Sequence, residues 1–429
     1  MEILANPARS SWKTITARPS LDTTALEKTV KEILTLVREG GDSAVLDLVQ
    51  KYDHAGIRTL AVTPQEIADA SAQVSSELKA AIDIAAQNIA TFHQSQKEQP
   101  NVIETSAGVK CWRESVGIEK VGLYIPGGTA PLFSTILMLG IPARIAGCSE
   151  IVLCTPHGKN GIHPAILYAA QKVGITKVFR IGGAQAIAAM AYGTESVPKV
   201  YKIFGPGNQY VTMAKMLVSM QGTAIDMPAG PSEVMVVADE TAHPAFIAAD
   251  LLAQAEHSTD SQSVLLCTSA AIIEQTQAEV ARQLELLPRK DLAAQSLAYS
   301  KLIRFDNADD LTDFMNEYAA EHLILSVKDA YQFSRRVVNA GSVFLGNFTP
   351  ESAGDYASGT NHTLPTNGFA KAYSGVSLDT FMKKITFQEI SPSGLLHLGP
   401  AIETMAAEEQ LDGHKNAVSY RLAELRKNK

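Results

Sequence analysis

The sequence predicts an α/β protein of two doubly wound, Rossmann-like lobes, with a helical N-terminal layer and a helical C-terminal tail. Three observations predict it. Short apolar strands alternate with Ala-rich helical segments in two successive series. Glycine turns sit directly after strands of the first series, as in open parallel sheets. At 429 residues the chain has room for two or three cores, taking roughly 150 residues per domain as the prior.

In chain order, residues 1–20 read as an N-terminal tail. From Thr23 to about Gln99 the apolar positions recur at helical spacing, with Leu26, Val30, Ile33 and Leu34, then Ala44, Leu46 and Val49, then an Ala-rich run over 66–93. Strands are expected at 121–125, 151–154, 177–181 and 200–204, and a second series at 234–238, 263–267, 323–327 and 343–345. A boundary near Pro228 to Ser232 separates the series. Beyond about Ile385 a helical tail is expected, ending over 411–426. The implied division is 21–120 with 233–380 as the main lobe, 121–232 as the other lobe, carrying the glycine turns, and 381–429 as the tail.

Composition bounds the function. Hydrophobic residues make up 46% and charged residues 19%, so the chain is an ordinary globular one, and a formal charge of -8 argues against nucleic-acid and anionic-membrane partners. The four cysteines, Cys111, Cys148, Cys154 and Cys267, form no CxxC pair and no framework. With no basic leader followed by an apolar run and no stretch of membrane length, the expected compartment is a reducing cytoplasm.

The glycine clusters are Pro126-Gly127-Gly128-Thr129, Gly182-Gly183-Ala184-Gln185 and Gly205-Pro206-Gly207-Asn208. Glycine at a strand end lets backbone N–H groups approach a phosphate, yet none of the three spells GxGxxG or a P-loop, so turn chemistry alone is the competing reading. Three such turns in one lobe favour a nucleotide-like anionic ligand.

Polar constellations lie elsewhere. Gln254 and His257, three apart at the end of an apolar helical run, have ligand spacing; the alternative is a dipole-capping histidine. Glu321 and His322 adjoin where a helical pattern becomes a strand, which suits two separate proton transfers or mere surface charge beside a half-buried histidine. Pro228-Ala229-Gly230-Pro231-Ser232-Glu233 is a rigid approach to a strand or an interdomain connector. The stretch 354–365, with Asp355 and His362, is composed like a binding loop. Glu409 and His414 lie in a charged C-terminal stretch that also fits a solvated helix face. Gln254, His257, Asp355 and His414 together make a nitrogen and oxygen set that suits Zn²⁺, with Mn²⁺ or Co²⁺ as plausible substitutes, though no HExxH or cysteine-rich pattern supports a zinc site.

The segments Cys111-Trp112-Arg113-Glu114-Ser115, Val121-Gly122-Leu123-Tyr124-Ile125-Pro126-Gly127-Gly128, Gly182-Gly183-Ala184-Gln185-Ala186, Phe204-Gly205-Pro206-Gly207-Asn208, Gln254-Ala255-Glu256-His257, Glu321-His322 and 354–365 resemble, in order, those of the L-histidinol dehydrogenase family. The resemblance implies a zinc-dependent, NAD-linked, four-electron oxidation of L-histidinol to L-histidine through histidinaldehyde. It implies one zinc per subunit, held by Gln254, His257, Asp355 and His414, with the substrate's imidazole and amine completing the shell. Glu321 and His322 would be the acid-base pair. Ser232, His362 and Glu409 would contact substrate alongside the zinc ligands, while Tyr124, Gln185 and Asn208 would contact NAD. The family resemblance also implies a homodimer in which the tail is exchanged, so that His414 and Glu409 complete the partner's site. A neutral imidazole of pKa roughly 6 to 7 suits His322 as the base for an alcohol proton, and Glu321 beside it suits activation of water for the aldehyde step.

Two rival readings remain. A thiol aldehyde dehydrogenase would use Cys148 or Cys154, both set in or beside apolar strands without an evident activating base. A metal-binding scaffold without catalysis would show no turnover.

Overall fold

The structure, a computed structural model, describes residues 1–18, 23–53, 56–127, 130–158 and 160–427. Their contacts divide them into two compact units, one of residues 1–95 and 118–381, the other of residues 96–117 and 382–429. Gly128 and Thr129 of the first glycine cluster lie outside the described residues.

The first unit begins with strand β1 (Glu2–Ala5), expected as tail, which adds a parallel edge to the larger sheet. A helical layer follows. The helix Thr23–Asp53 bends where Gly41 takes a φ of 54°, a conformation open to glycine at little cost. The Ala-rich run expected as one helix over 66–93 is two, Pro64–Gln73 and Ser76–Gln94. Ser75 breaks it by capping the second, its hydroxyl accepting from the Leu78 amide at 3.2 Å.

In the second unit, β2 (Ile103–Ser106) and β3 (Val109–Gly117) precede the lobes in sequence. The first lobe of the first unit then contributes β4 (Lys120–Tyr124), β5 (Glu150–Thr155), β6 (Lys177–Arg180), β7 (Lys202–Phe204) and β8 (Ala224–Ile225), ordered β6-β5-β4-β7-β8 and all parallel. The second lobe contributes β9 (Glu233–Ala238), β10 (Gln262–Cys267), β11 (Lys301–Arg304), β12 (His322–Ser326) and β13 (Ser342–Leu345), ordered β1-β11-β10-β9-β12-β13, again parallel. Setting β1 aside, the two sheets share one winding, third, second, first, fourth, fifth. Chain order therefore reverses between β4 and β7 and between β9 and β12, the switch points where doubly wound sheets open a crevice.

Both faces of the larger sheet are covered. Val234, Val236 and Ala238 pack with Ile247, Leu251 and Ile273 on one side, while Met235 and Val237 pack with Trp12, Phe314 and Tyr318 on the other. The period-two alternation along β9 thus feeds two cores, which is why the strand reads as one apolar run.

In the second unit β14 (Met382–Ile390) pairs antiparallel with β3, in a segment where a helical tail was expected to begin. Trp112 stacks on Phe387 across this pair, at 5.4 Å between ring centroids. The helices Pro392–Glu408 and Asp412–Lys427 follow.

Candidate functional site

The first unit carries two concentrations of chemistry. One lies at the amino ends of β9 and β12. The register places Glu321 beside Glu233, whose amide donates to Glu321 Oε2 at 2.8 Å. Ala319, at a φ of 54°, ends the helix Ala308–Tyr318 in a left-handed turn and delivers Glu321 and His322 to the strand start. Behind them Arg18, over the Tyr318 ring, donates from Nε to Glu233 Oε2 at 2.8 Å.

His322 is buried among carboxylates. Its Nδ1 is 3.7 Å from Glu321 Oε2 and 3.6 Å from Glu351 Oε1, and its Nε2 is 3.5 Å from Asp355 Oδ1. These separations exceed good hydrogen bonds, and both ring nitrogens are buried without a partner. Burial works against the charged ring, yet Glu351, Glu321 and Asp355 outweigh it and raise the imidazole above its ordinary range. This corrects the expectation of a neutral base near pKa 6 to 7 in the protein by itself. Burial, only partly offset by His322, pushes Glu321 up to about 8. Asp355 stays below the ordinary carboxylate range because His322 overcomes its own burial.

The other residues singled out for metal or substrate divide between the two units. Gln254 is in the last turn of the helix Pro244–Ala255 and His257 just beyond it; the His257 amide donates to the Gln254 carbonyl at 3.2 Å. His257 is exposed, and desolvation by the surrounding protein lowers its pKa. Asp355 lies in the short helix Glu351–Tyr356, so the expected loop over 354–365 begins as helix. His362 Nδ1 is 3.0 Å from the Asp355 carbonyl, which can only accept, so Nδ1 carries the proton. Nε2 then accepts from the Thr135 hydroxyl at 3.0 Å. Ser232 directly precedes β9, its carbonyl accepting from the Gln262 amide at 3.2 Å. Glu409 and His414 belong to the second unit, where both are exposed, the first capping Pro392–Glu408 and the second in Asp412–Lys427.

Two residues of this cluster escaped the sequence reading. Glu351 and Asp250 are ordinary acids in sequence, and no spacing marks them. Burial lifts Glu351 to about 8 and Asp250 to about 7. Ligand-capable atoms of His257, Glu351 and Asp355 lie within 4.8 Å of one another. Gln254 is fully buried with both amide atoms unpartnered, and Glu351 Oε2 is also without a partner. An orphaned buried amide is costly unless a ligand satisfies it, and the C-terminal end of Pro244–Ala255 favours positive charge. The donors present therefore fit a Zn²⁺-type cation.

The second concentration is a cavity of about 680 Å³ at the carboxyl ends of β4, β5 and β6, lined by Tyr124, Thr155, Gln185 and Asn208 among others. All three glycine clusters contribute to its wall, through Gly127, Gly183 and Asn208. The Tyr124 hydroxyl accepts from the Gly183 amide at 3.0 Å, and the Asn208 side chain caps its own helix at Tyr210 and Val211. Gly205, at a φ of 126°, passes so near the Tyr124 carbonyl that a Cβ would collide.

The cysteines stand apart. Cys148 and Cys154 are buried, and desolvation pushes the first up to about 11 and the second higher still, the reverse of an activated nucleophile. Among the described residues no helix is long and apolar enough to cross a membrane.

Comparison with known proteins bears on the chain as a whole. Residues 16–422 match the family model described as histidinol dehydrogenase. A histidinol dehydrogenase of Bacteroides fragilis (strain YCH46) is 61% identical over 428 residues, covering 100% of each chain. One of Bacteroides thetaiotaomicron is 60% identical over 427 residues, covering 99% of this chain and 100% of the relative. The crystal structure of histidinol dehydrogenase from Elizabethkingia anophelis superposes with a TM-score of 0.97 at 53% identity, covering 99% of each chain. A match of this extent leaves no lobe unaccounted for: the chain belongs to the histidinol dehydrogenase family.

Proposed function

We propose that this chain oxidises L-histidinol to L-histidine through L-histidinaldehyde, in two successive NAD-linked steps at a zinc-containing site, as the closing reaction of histidine biosynthesis in the cytoplasm. The observation that carries the reading is the buried His322 beside Glu321, within one cluster with His257, Glu351 and Asp355. Such a group of perturbed acids and imidazoles is a machine for moving protons.

Gln254, His257 and Asp355 would hold the zinc, with His414 of the exchanged tail of a homodimer as the fourth ligand and Glu351 close enough to join or orient the set. When bound, zinc supplies a fixed positive charge that anchors the substrate and offsets the carboxylates now raising His322. NAD supplies the hydride acceptor, in the cavity lined by Tyr124, Gln185 and Asn208.

The rest is the work of side chains. An alcohol carbon releases hydride readily only as its hydroxyl proton leaves, and His322 takes that proton at a ring nitrogen. The aldehyde must then add water. Glu321, buried beside His322, would accept a proton from that water. Ser232, His362 and the tail's Glu409 would hold the substrate. His362 arrives with its ring already fixed by Thr135 and the Asp355 carbonyl, so little ordering is left to do on binding.

The test is direct. The protein with zinc, L-histidinol and NAD should yield two NADH per histidinol consumed, measured by absorbance, and a chelator should stop it. Absence of NADH from zinc-replete, folded protein would leave a metal-binding scaffold as the better reading.

A further inference from the structure

Behind the third glycine turn of the first lobe lies a buried ion pair that the reaction proposed above does not use. Lys215, within the helix Gln209–Ser219, pairs with Asp226, the residue after β8, and both side chains are almost wholly buried. Between them they hold both polar backbone groups of one residue. The Lys215 ammonium donates to the Gly205 carbonyl at 2.9 Å, and the Gly205 amide donates to Asp226 Oδ2 at 2.8 Å. Asp226 Oδ1 accepts from the Met227 amide at 2.7 Å, which fixes the orientation of the carboxylate. Lys202, whose ammonium donates to the Thr380 carbonyl at 2.7 Å, also lies near enough to feel the Asp226 charge.

Gly205 is itself buried, at the carboxyl end of β7, and its φ of 126° sets its backbone against the Tyr124 carbonyl. A residue in such a place costs free energy unless its N–H and its C=O both find partners. Asn208 is fixed from the other side, since its side chain accepts from the Tyr210 and Val211 amides at 3.1 and 3.2 Å. The turn is therefore pinned at both ends, and from it Asn208 and Tyr210 reach the cavity wall. Stability alone is a weak reason for the pair. Apolar residues of similar volume commonly serve as well as a buried ion pair, because desolvating two charges offsets their attraction. They could not, however, hold a backbone carbonyl and amide. A lysine beside a glycine turn invites reading as a phosphate contact; here its ammonium is engaged by Gly205 and Asp226, so its influence on a ligand passes through the backbone.

The geometry points to Lys215 and Asp226 as positioning residues for the dinucleotide, clamping Gly205 so that Asn208 and Tyr210 stand ordered at the cavity wall before the ligand arrives. The inference rests on the dinucleotide reading of the cavity given above, and its test separates the two. In the full-length, zinc-replete protein, Lys215→Met combined with Asp226→Leu removes the clamp and leaves neither partner charged opposite an apolar group. The KM for NAD should rise about tenfold, because ordering of the turn then falls on the binding step, while kcat and the KM for L-histidinol stay within about twofold. Affinity for ADP-ribose, measured by calorimetry, should fall by the same factor. A pair that served stability alone would give the opposite split, a lower kcat from fewer active molecules and an unchanged KM for NAD. A folded double variant with that split, or with unchanged ADP-ribose affinity, overturns the clamp. Asp226→Asn, which keeps the shape and one of two acceptors, should weaken ADP-ribose several-fold, and unchanged affinity there overturns it as well. One measurement needs no variant: in the unsubstituted, ligand-free protein the Gly205 amide should exchange its hydrogen slowly and gain little protection from ADP-ribose. Fast exchange that only ADP-ribose slows would show a turn ordered by its ligand, and overturns the clamp. Failure of the unsubstituted chain to bind ADP-ribose overturns the dinucleotide reading itself, and this inference with it.

Discussion

The two lobes share one strand order yet use opposite ends of their sheets. In the first, Tyr124, Thr155, Gly183 and Asn208 gather at the carboxyl ends, where helices begin. In the second, Glu233, Glu321 and His322 gather at the amino ends of β9 and β12, where the helix Pro244–Ala255 finishes with Gln254. Helix starts favour anions and helix finishes favour cations. The same winding therefore offers an anion-compatible end and a cation-compatible end, and the two candidate sites lie one at each. Only the first lobe's candidate site lies at the carboxyl ends, where ligands of open sheets ordinarily sit.

Substitutions in the two lobes should separate cleanly in kinetics. His322→Gln should lower kcat by about 10²–10⁴-fold and leave the KM for NAD within about twofold, because a lost proton acceptor is felt in the transition state. Tyr124→Phe removes the hydroxyl that receives the Gly183 amide, and should raise the KM for NAD about tenfold with little change in kcat. Steady-state rates with NAD varied at saturating histidinol check both. The division of labour fails if the two variants exchange these effects.

A smaller effect tests the cation end by itself. Asp355→Asn should weaken zinc binding by about 10–100-fold in a chelator competition, since a cluster acid is replaced by a neutral amide. Binding of ADP-ribose by the same variant should be unaltered. A parallel loss of both would mean that the two ends are coupled.

The smallest expected effect is on stability against pH. Burial raises Asp250 from 3.8 to about 7, and Glu321 and Glu351 from 4.5 to about 8. Between these limits the folded chain binds protons that the unfolded chain has released, so stability falls as pH rises. Metal-free protein should thus melt at a lower temperature at pH 8 than at pH 5.5. Asp250→Asn should recover about 2–4 °C of that loss at pH 8. A melting temperature that is flat or rises over this interval would contradict the burial of uncompensated acids.

Much of the frame is legible in sequence because it rests on local pattern. Apolar runs such as those at 151–154 and 263–267 mark strands covered on both faces, and the glycine turns mark strand ends. What local pattern misses has few apolar residues to show. β11 is four residues long, and β14 is largely exposed, so neither produces a buried-strand run. The break at Ser75 turns on one side-chain cap inside a continuous helical composition.

The sequence by itself determined the α/β class, the two series of strands, the glycine turns and the adjacency of Glu321 and His322, all properties of neighbouring residues and their spacing. Only the tertiary structure decided that both lobes wind alike and that their sites face opposite sheet ends. It alone brought Glu351 and Asp250 to the cluster and Asp226 to Gly205. The reason is physical: a carboxylate's role is set by what desolvates it and which charges face it, and those neighbours come from strands and helices far apart in the chain.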